Sequence, residues 1–253
     1  MSAAESYGAF AYAYDQALGE RYFLAVRRLL ADVLERFPSE SMTHLDVACG
    51  TGLAMPFFAG RGFISTGLDI SPVMLNVARK RARRLVAGDT RAMPLRAKFS
   101  RITCLYDSLN HLLDPRDLSI AFGEIARVMD GDSLFIFDMN HPDIYPDVWG
   151  MKEPFVDEGR DFHLEIATTF RKREQLGRAL VTGWAIVRGE RITIRERHTQ
   201  RSYERGDIVA ALAEAGLEPI EVREFDPWAE GKTVKLFFVV RRRYAVTSRG
   251  RRS

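Results

Sequence analysis

Asp46-Val47-Ala48-Cys49-Gly50-Thr51-Gly52 is the stretch whose residue types and spacing point most directly to chemistry. An apolar run, a glycine turn and a following helix would aim backbone N–H groups and a helix N-terminus at one small ligand. The glycines let that ligand approach the backbone closely. Two ligand classes use this device. A dinucleotide asks for G-x-G-x-x-G/A, with the pyrophosphate on the helix N-terminus. Gly50 and Gly52 supply the first two positions, but Met55 stands at the third. The other pattern is acid-x-A/G-x-G-x-G, and Asp46, Ala48, Gly50 and Gly52 fill it completely. Asp69, closing the next apolar run, lies roughly where an acid grips ribose hydroxyls.

Further candidates lie downstream and at the N-terminus. His111, in Tyr106-Asp107-Ser108-Leu109-Asn110-His111, is a candidate base or substrate-orienting group, because its unperturbed pKa lies near neutrality. The competing reading is a loop histidine that only hydrogen-bonds locally. His141-Pro142 either lines the pocket or makes a turn. His163 and His198 fall in strand-like segments and read as structural. Cys49 reads as a small loop residue and Cys104 as a strand residue. No spacing among the histidines, cysteines and acids makes a metal site. Tyr7, Phe10, Tyr12, Tyr14, Tyr22 and Phe23 crowd the N-terminal region. They suit either a helix packed on the domain surface or a helical lid over residues 1–37 that excludes water from a pocket.

These residues need a scaffold that delivers them to one place. Met42–Ala48 reads as a short buried strand, followed by a helix over Leu53–Ala59. Phe63–Leu68 is a second strand. Ser71 as N-cap and Pro72 at the first helical position start a helix, with Val73, Val77 and Ala78 on its apolar face and Met74 at the ligand end. Arg84–Ala87 and Arg101–Tyr106 are the third and fourth strands. Asp117–Met129 is an amphipathic helix ending near Gly131, and Ser133–Asp138 the fifth strand. Strands alternating with helices predict an α/β fold with a parallel, doubly wound sheet that binds ligands at its carboxyl ends. Phe162–Phe170, Ala179–Val187 and Ile192–Gln200 instead alternate apolar and polar residues, which predicts an inserted antiparallel sheet over about 160–200. Arg205–Ala215 is a helix stopped by Gly216. Leu217–Phe225 and Val234–Val240 are the last strands.

Composition narrows the function classes. The 253 residues, 46% hydrophobic, suffice for one α/β domain over 1–240. No apolar run reaches the roughly 18–20 residues of a membrane span. The N-terminus lacks the basic and apolar regions of a secretory signal. With two cysteines a disulfide framework is not indicated, and a cytoplasmic setting is expected. The net charge of +3 is uneven: residues 241–253 hold six arginines and no acid. That segment reads as a solvated, disordered tail. The basic pI therefore belongs to the tail, which weakens any nucleic-acid reading. Arg79-Lys80-Arg81-Ala82-Arg83-Arg84 could touch phosphates, but a solvated helix face accounts for it.

The acid-x-Ala-x-Gly-x-Gly loop and the acids after successive strands resemble the class I methyltransferases that use S-adenosylmethionine (SAM), over about residues 5–240. The phrase L-D-V-A-C-G-T-G and a histidine near His111 are similar to the sugar amine N,N-dimethyltransferases of macrolide biosynthesis. The resemblance implies a Rossmann-like seven-stranded sheet with an antiparallel insertion after the fifth strand. It implies that Asp46, Ala48, Cys49, Gly50, Thr51 and Gly52 border the methionine part of SAM. It assigns Asp69 to the ribose, Ile70 and Met74 to the adenine face, and Asp89 with Thr90 to the adenine amino end. Tyr106 would contact the donor, and Asp107, Asn110, His111, His141 and Tyr14 the acceptor, with His111 and Tyr14 as catalytic candidates. The products would be S-adenosylhomocysteine (SAH) and a small molecule methylated on N or O. A homodimer through the inserted sheet is a further expectation. A nucleic-acid methyltransferase and a non-catalytic SAM-binding protein are the alternatives, although no Asn/Asp-Pro-Pro-Tyr/Phe signature is present.

Overall fold

The computed structural model describes residues 8–228 and 234–243. The chain enters through α1 (Ala11–Tyr14), a π-helical turn (Asp15–Gly19) and α2 (Glu20–Arg36). There follow β1 (Thr43–Val47), α3 (Met55–Ala59), β2 (Ile64–Asp69), α4 (Pro72–Ala78), β3 (Leu85–Ala87), β4 (Phe99–Cys104) and a 3-10 turn (Ser108–His111). Next come α5 (Pro115–Val128), β5 (Met129–Asn140), α6 (Ile144–Asp147), β6 (Phe155–Gly159), β7 (Phe162–Arg171), β8 (Leu176–Val187) and β9 (Glu190–Arg201). The chain closes with α7 (Arg205–Glu214), β10 (Leu217–Phe225) and β11 (Lys235–Arg242).

A seven-stranded sheet runs β10-β11-β5-β4-β1-β2-β3. β1 through β5 pair in parallel, as their alternation with helices predicts, whereas β11 is antiparallel to both β5 and β10 and completes the seven-stranded Rossmann-like sheet. The period of two in β5 sorts its side chains onto two faces. Phe135 and Phe137 join Leu118, Phe122 and Ile125 of α5 and Ile208 and Leu212 of α7. Leu134 and Ile136 join Tyr22, Val26, Leu30 and Val33 of α2 and Phe58 of α3. The helical spacing of those four α2 residues shows that α2 is a core helix on the sheet. Of the segment expected as a lid, 1–37, Tyr14 and, on α2, Phe23 line the cavity at the ligand end, and Tyr7 falls outside the described residues.

Other boundaries move for local reasons. β4 stops at Cys104 because Tyr106 and Asp107 take left-handed φ of 67° and 46°. α5 starts two residues early, since Asp114 caps it by accepting from Arg116 N and Pro115 takes the first turn. It runs straight into β5, so Gly131 lies within a strand and ends no helix. The insertion is a four-stranded antiparallel sheet, β6-β7-β8-β9, one strand more than its alternation revealed. β6 was illegible because Phe155 and Val156 are both exposed and adjacent, without a period of two. β11 extends through Arg241 and Arg242, where Arg241 pairs with Glu218 at 2.8 Å, so the tail begins later than expected. Residues 244–253 lie outside the described residues. No described helix is long and apolar enough to cross a membrane.

Candidate active site

The glycine loop is held by the acid of the next strand. Ala48, Gly50 and Gly52 have φ of 52°, 54° and 79°, which turn the chain sharply out of β1. Asp69 at the end of β2 accepts Gly50 N–H at 2.7 Å on one oxygen and Ser71 N–H at 2.8 Å on the other. Ser71 in turn caps α4 by accepting from Met74 N at 3.3 Å. One carboxylate thus ties loop, strand and helix together. A Cβ on Gly50 would meet only Met74 Sδ, at 3.9 Å, so that side of the loop opens into the cavity. A Cβ on Gly52 would meet Ala78 Cβ at 3.3 Å, and Gly52 serves close contact with α4 instead.

Beneath the loop a chain of polar groups reaches Asp46. The Thr103 hydroxyl donates to Asp46 at 2.6 Å. That commits its only hydrogen, so His44 Nε2–H must donate to Thr103 Oγ1 at 2.9 Å. His44 Nδ1 then accepts from Ser65 Oγ at 3.0 Å. The ring stacks on Phe58 at 3.6 Å. Burial pushes His44 down to about 3, which keeps the ring neutral as this wiring requires. Burial pushes Asp46 up to about 7; Asp69 adds to this and the Thr103 hydrogen bond opposes it. An anion so poorly solvated gains from a cationic ligand beside it. Burial also raises the Cys49 thiol, helped by Asp46 and Asp69, so Cys49 is a thiol lining and no nucleophile.

Asp46, Ala48, Cys49, Gly50, Thr51, Asp69, Ile70, Met74, Asp89, Thr90, Tyr106, Tyr14 and His111 all line one cavity of about 630 Å³. Leu112, Leu113, Arg197 and Thr199 also line it. At the rim Asp89 is committed to Arg91, whose Nη2 lies at 2.6 Å and whose Nη1 reaches Asp117 at 2.8 Å. Arg91 holds the Asp89 carboxyl below its usual range.

The N-terminal segment closes one side of the cavity. Phe10 and Ala13 pack with Phe162, Leu164, Val181 and Ile194 of the insertion, while Ala11 packs with Met74 and Val77 of α4. Asp15 accepts from the Thr51 hydroxyl and pairs with Arg81 at 2.8 Å. The Tyr106 hydroxyl reaches the carbonyls of Leu18 and Gly19 at 2.6 and 2.5 Å in the π-helical turn. Tyr14 lies 5.6 Å from the Tyr106 ring and from the Phe10 ring.

His111 is half-buried on the cavity wall with its Nδ1 at 3.1 Å from Thr199 O, so Nδ1 carries the hydrogen. Burial first, and then His198 and Lys235 against the pull of Asp107, brings it down to about 4. Four expected residues do not line the cavity. Gly52 sits behind the loop. Asp107 is bound by Lys235 and Gln200. Asn110 is fully buried, donating to Arg201 O at 2.8 Å and accepting from Asn140 N at 3.0 Å, so its amide braces β5 against β9. His141 faces Asp143 at 3.6 Å and Glu224 at 3.9 Å, away from the cavity. Among the described residues no cluster of His, Cys, Asp or Glu suits a metal ion.

Asp15, Arg81, Gln200 and Lys235 were not singled out by their sequence signals. Arg81 is embedded in a basic run that reads as a solvated face. Lys235 falls inside the strand Val234–Val240 with no pattern of its own, yet it is buried.

Residues 45–132 match the family model described as a methyltransferase domain. The chain is 30% identical over 134 residues to the dTDP-3-amino-3,4,6-trideoxy-alpha-D-glucopyranose N,N-dimethyltransferase of Streptomyces venezuelae, covering 52% of this chain and 56% of that protein. The match thus spans about half the length of such curated relatives. The fold matches an S-adenosylmethionine-dependent methyltransferase from Clostridium acetobutylicum with a TM-score of 0.79 at 22% identity, over 93% of this chain and 98% of that one. It also matches SAM-bound CalS10, an amino pentose methyltransferase from Micromonospora echinaspora, with a TM-score of 0.70 at 22% identity, over 92% and 97% of the two chains. Residues 45–132 thus match a methyltransferase domain, and over more than nine tenths of its length the chain shares the fold of these SAM-dependent methyltransferases.

Proposed function

We propose that this protein is a SAM-dependent methyltransferase acting on an N or O atom of a small molecule. One observation carries the reading: the glycine loop, Asp69, the Asp89 rim and the His111–Thr199 wall converge on a single cavity. SAM supplies an activated methyl group for in-line displacement, so the protein chiefly positions the reactants and excludes water. Asp46 and the open face of Gly50 would receive the methionine end and its positive charges. Asp69 would face the ribose, although its two N–H partners already take one lone pair on each oxygen. Ile70, Met74, Asp89 and Thr90 would surround the adenine. Tyr14, Tyr106 and residues 8–19 would keep water out, and His111 would orient the nucleophile. The amino-sugar methyltransferase likeness makes an amine the first acceptor class to examine.

A cavity of this size suits a small acceptor, and Arg81, a leading member of the basic run, is spent on Asp15. Both favour a small molecule over nucleic acid. Two unpaired buried thiols, Cys49 and Cys104, accord with a reducing cytoplasm. Exposed Phe155 and Val156 on the edge strand β6 are where a second copy would pair, which sedimentation would reveal as a dimer. The reading is tested by incubating the protein with SAM and a panel of amines, phenols and carboxylates, with mass detection of products. A gain of about 14 mass units on one class, with SAH formed alongside it, supports the reading, whereas SAM that binds but yields neither SAH nor a methylated product with any class opposes it.

A further inference from the structure

A buried charge relay lies next to the acceptor end and belongs to none of the donor contacts. Lys235 is 5% exposed. Its Nζ contacts Asp107 and lies 3.4 Å from Asp138. Asp138, fully buried, accepts Tyr106 N–H at 2.6 Å and Asp107 N–H at 2.9 Å. Two successive left-handed residues thus point their N–H groups at one carboxylate, a built-in anion nest that fixes the loop leading to His111. Lys235 supplies the cation that two neighbouring acids require.

The relay continues to His111. The second oxygen of Asp107 accepts from Gln200 Nε2. Gln200 Oε1 accepts from Asn140 Nδ2 at 2.7 Å, so the amide is oriented with its nitrogen toward Asp107. The same nitrogen lies 3.3 Å from His111 Nε2. Since Nδ1–H is given to Thr199 O, Nε2 is the ring's lone pair, and the second amide hydrogen of Gln200 is its donor. Asp107, which only accepts, enforces this order: it claims one amide hydrogen and leaves the other for the ring.

We propose that Lys235, Asp107 and Gln200 are positioning residues that hold His111 as a neutral ring in a single tautomer, so that it orients the methyl acceptor and does not carry its proton. The inference rests on His111 belonging to the acceptor end of a methyltransferase site. Protonating Nε2 would turn it into a donor facing the Gln200 N–H, which the geometry opposes. The charged and titratable groups that act on the ring are Asp107, Lys235 on β11 and His198 on β9, with Asp138 behind Lys235, Glu196 beside His198, Tyr145 beside Gln200, and Arg197 of β9 on the same cavity.

The test is nitrogen-15 NMR of the histidine side chains in the full chain, with SAH added, from pH 5.5 to 8.5. A His111→Gln spectrum assigns the signal. In the unmodified protein His111 should show only the Nδ1–H form and no titration. In Gln200→Leu the donor is lost and Asp107 is left facing the ring, so the midpoint should rise by about two pH units, into the measured range. Lys235→Met should do the same by freeing the Asp107 charge, and Lys235→Arg should restore the fixed form. If Lys235→Met does not fold, Gln200→Leu alone decides. A His111 signal that titrates near pH 6.5 in the unmodified protein, or that is the same in folded Gln200→Leu, overturns the proposal. SAH binding is read in the same samples: its absence would sink the methyltransferase reading, whereas bound SAH with an indifferent His111 sinks only the relay.

Discussion

At the donor end of the cavity Gly50, just after β1, is held by Asp69, 19 residues away at the end of the neighbouring parallel strand β2. At the acceptor end His111 is held by Thr199 and Gln200, and Asp107 by Lys235, 88 to 128 residues away. The first end is a local device of loop, strand and helix cap. The second exists only once the insertion, the 3-10 turn and the antiparallel edge have come together. Donor binding should therefore respond to changes in single loop residues, whereas acceptor geometry should respond to residues remote in sequence.

The largest expected effect is at Gly50. Gly50→Val places a β-branched residue at φ 54° and puts its side chain into the cavity. SAH affinity should fall by about 100-fold or more, since strain of this kind costs roughly 1–3 kcal/mol before any clash is counted. Calorimetric titration checks it; retained affinity would mean that the ligand lies elsewhere. Asp69→Ala removes the acceptor of two backbone N–H groups, and loss of about 2 kcal/mol corresponds to roughly 30-fold weaker SAH binding.

The donor end also has a pH signature. The Asp46 carboxyl is raised to about 7, so it becomes an anion as pH rises through that value. SAM, a sulfonium, should bind up to about tenfold more tightly at pH 8 than at pH 6, with SAH changing less. The sign for stability is opposite. A carboxyl whose folded pKa lies above its unfolded one contributes stability at low pH that is lost as pH rises toward 7. Asp46→Asn should accordingly raise the Tm of ligand-free protein at pH 8, at about 2–4 °C for each kcal/mol, while weakening SAM.

The acceptor end should separate from this. His111→Ala should leave SAH affinity unchanged and lower kcat by about tenfold, the loss of one orienting hydrogen bond. A loss of 1,000-fold or more would instead mark a general base, at about 10²–10⁴. The smallest effect belongs to the lid. Asp15→Asn weakens the tie to Arg81 and should speed SAH release by about threefold in stopped-flow measurements, because a partly exposed pair is worth roughly 1 kcal/mol or less.

The same contrast explains what the sequence could tell. Strand β1, the glycine loop and the Ser71-Pro72 cap are local patterns, and the structure has them within a residue or two of expectation. Asp69 was recognisable because the end of a strand after a glycine loop is a place with a physical meaning. Asn110 was placed on the ligand because it sits in the right loop, but burial and two backbone partners make it a brace. Asp107 was drawn away by Lys235, which no local pattern connects to it. The direction of the last two strands was not legible from their residues alone, because an apolar run such as β11 does not reveal its partner's polarity. Tyr12, Tyr14, Tyr22 and Phe23 form one aromatic pattern in the sequence, which does not show that Tyr22 turns to the core under the sheet while Tyr14 and Phe23 line the cavity.

The central claim, that the Asp46–Gly52 loop is the seat of SAM, is tested most directly by calorimetric titration of SAH into the full chain and into Gly50→Val. One site per chain in the micromolar range, abolished by the substitution with the fold retained, is the expected result. No heat from the well-folded unmodified protein, or equal affinity in both, would contradict it.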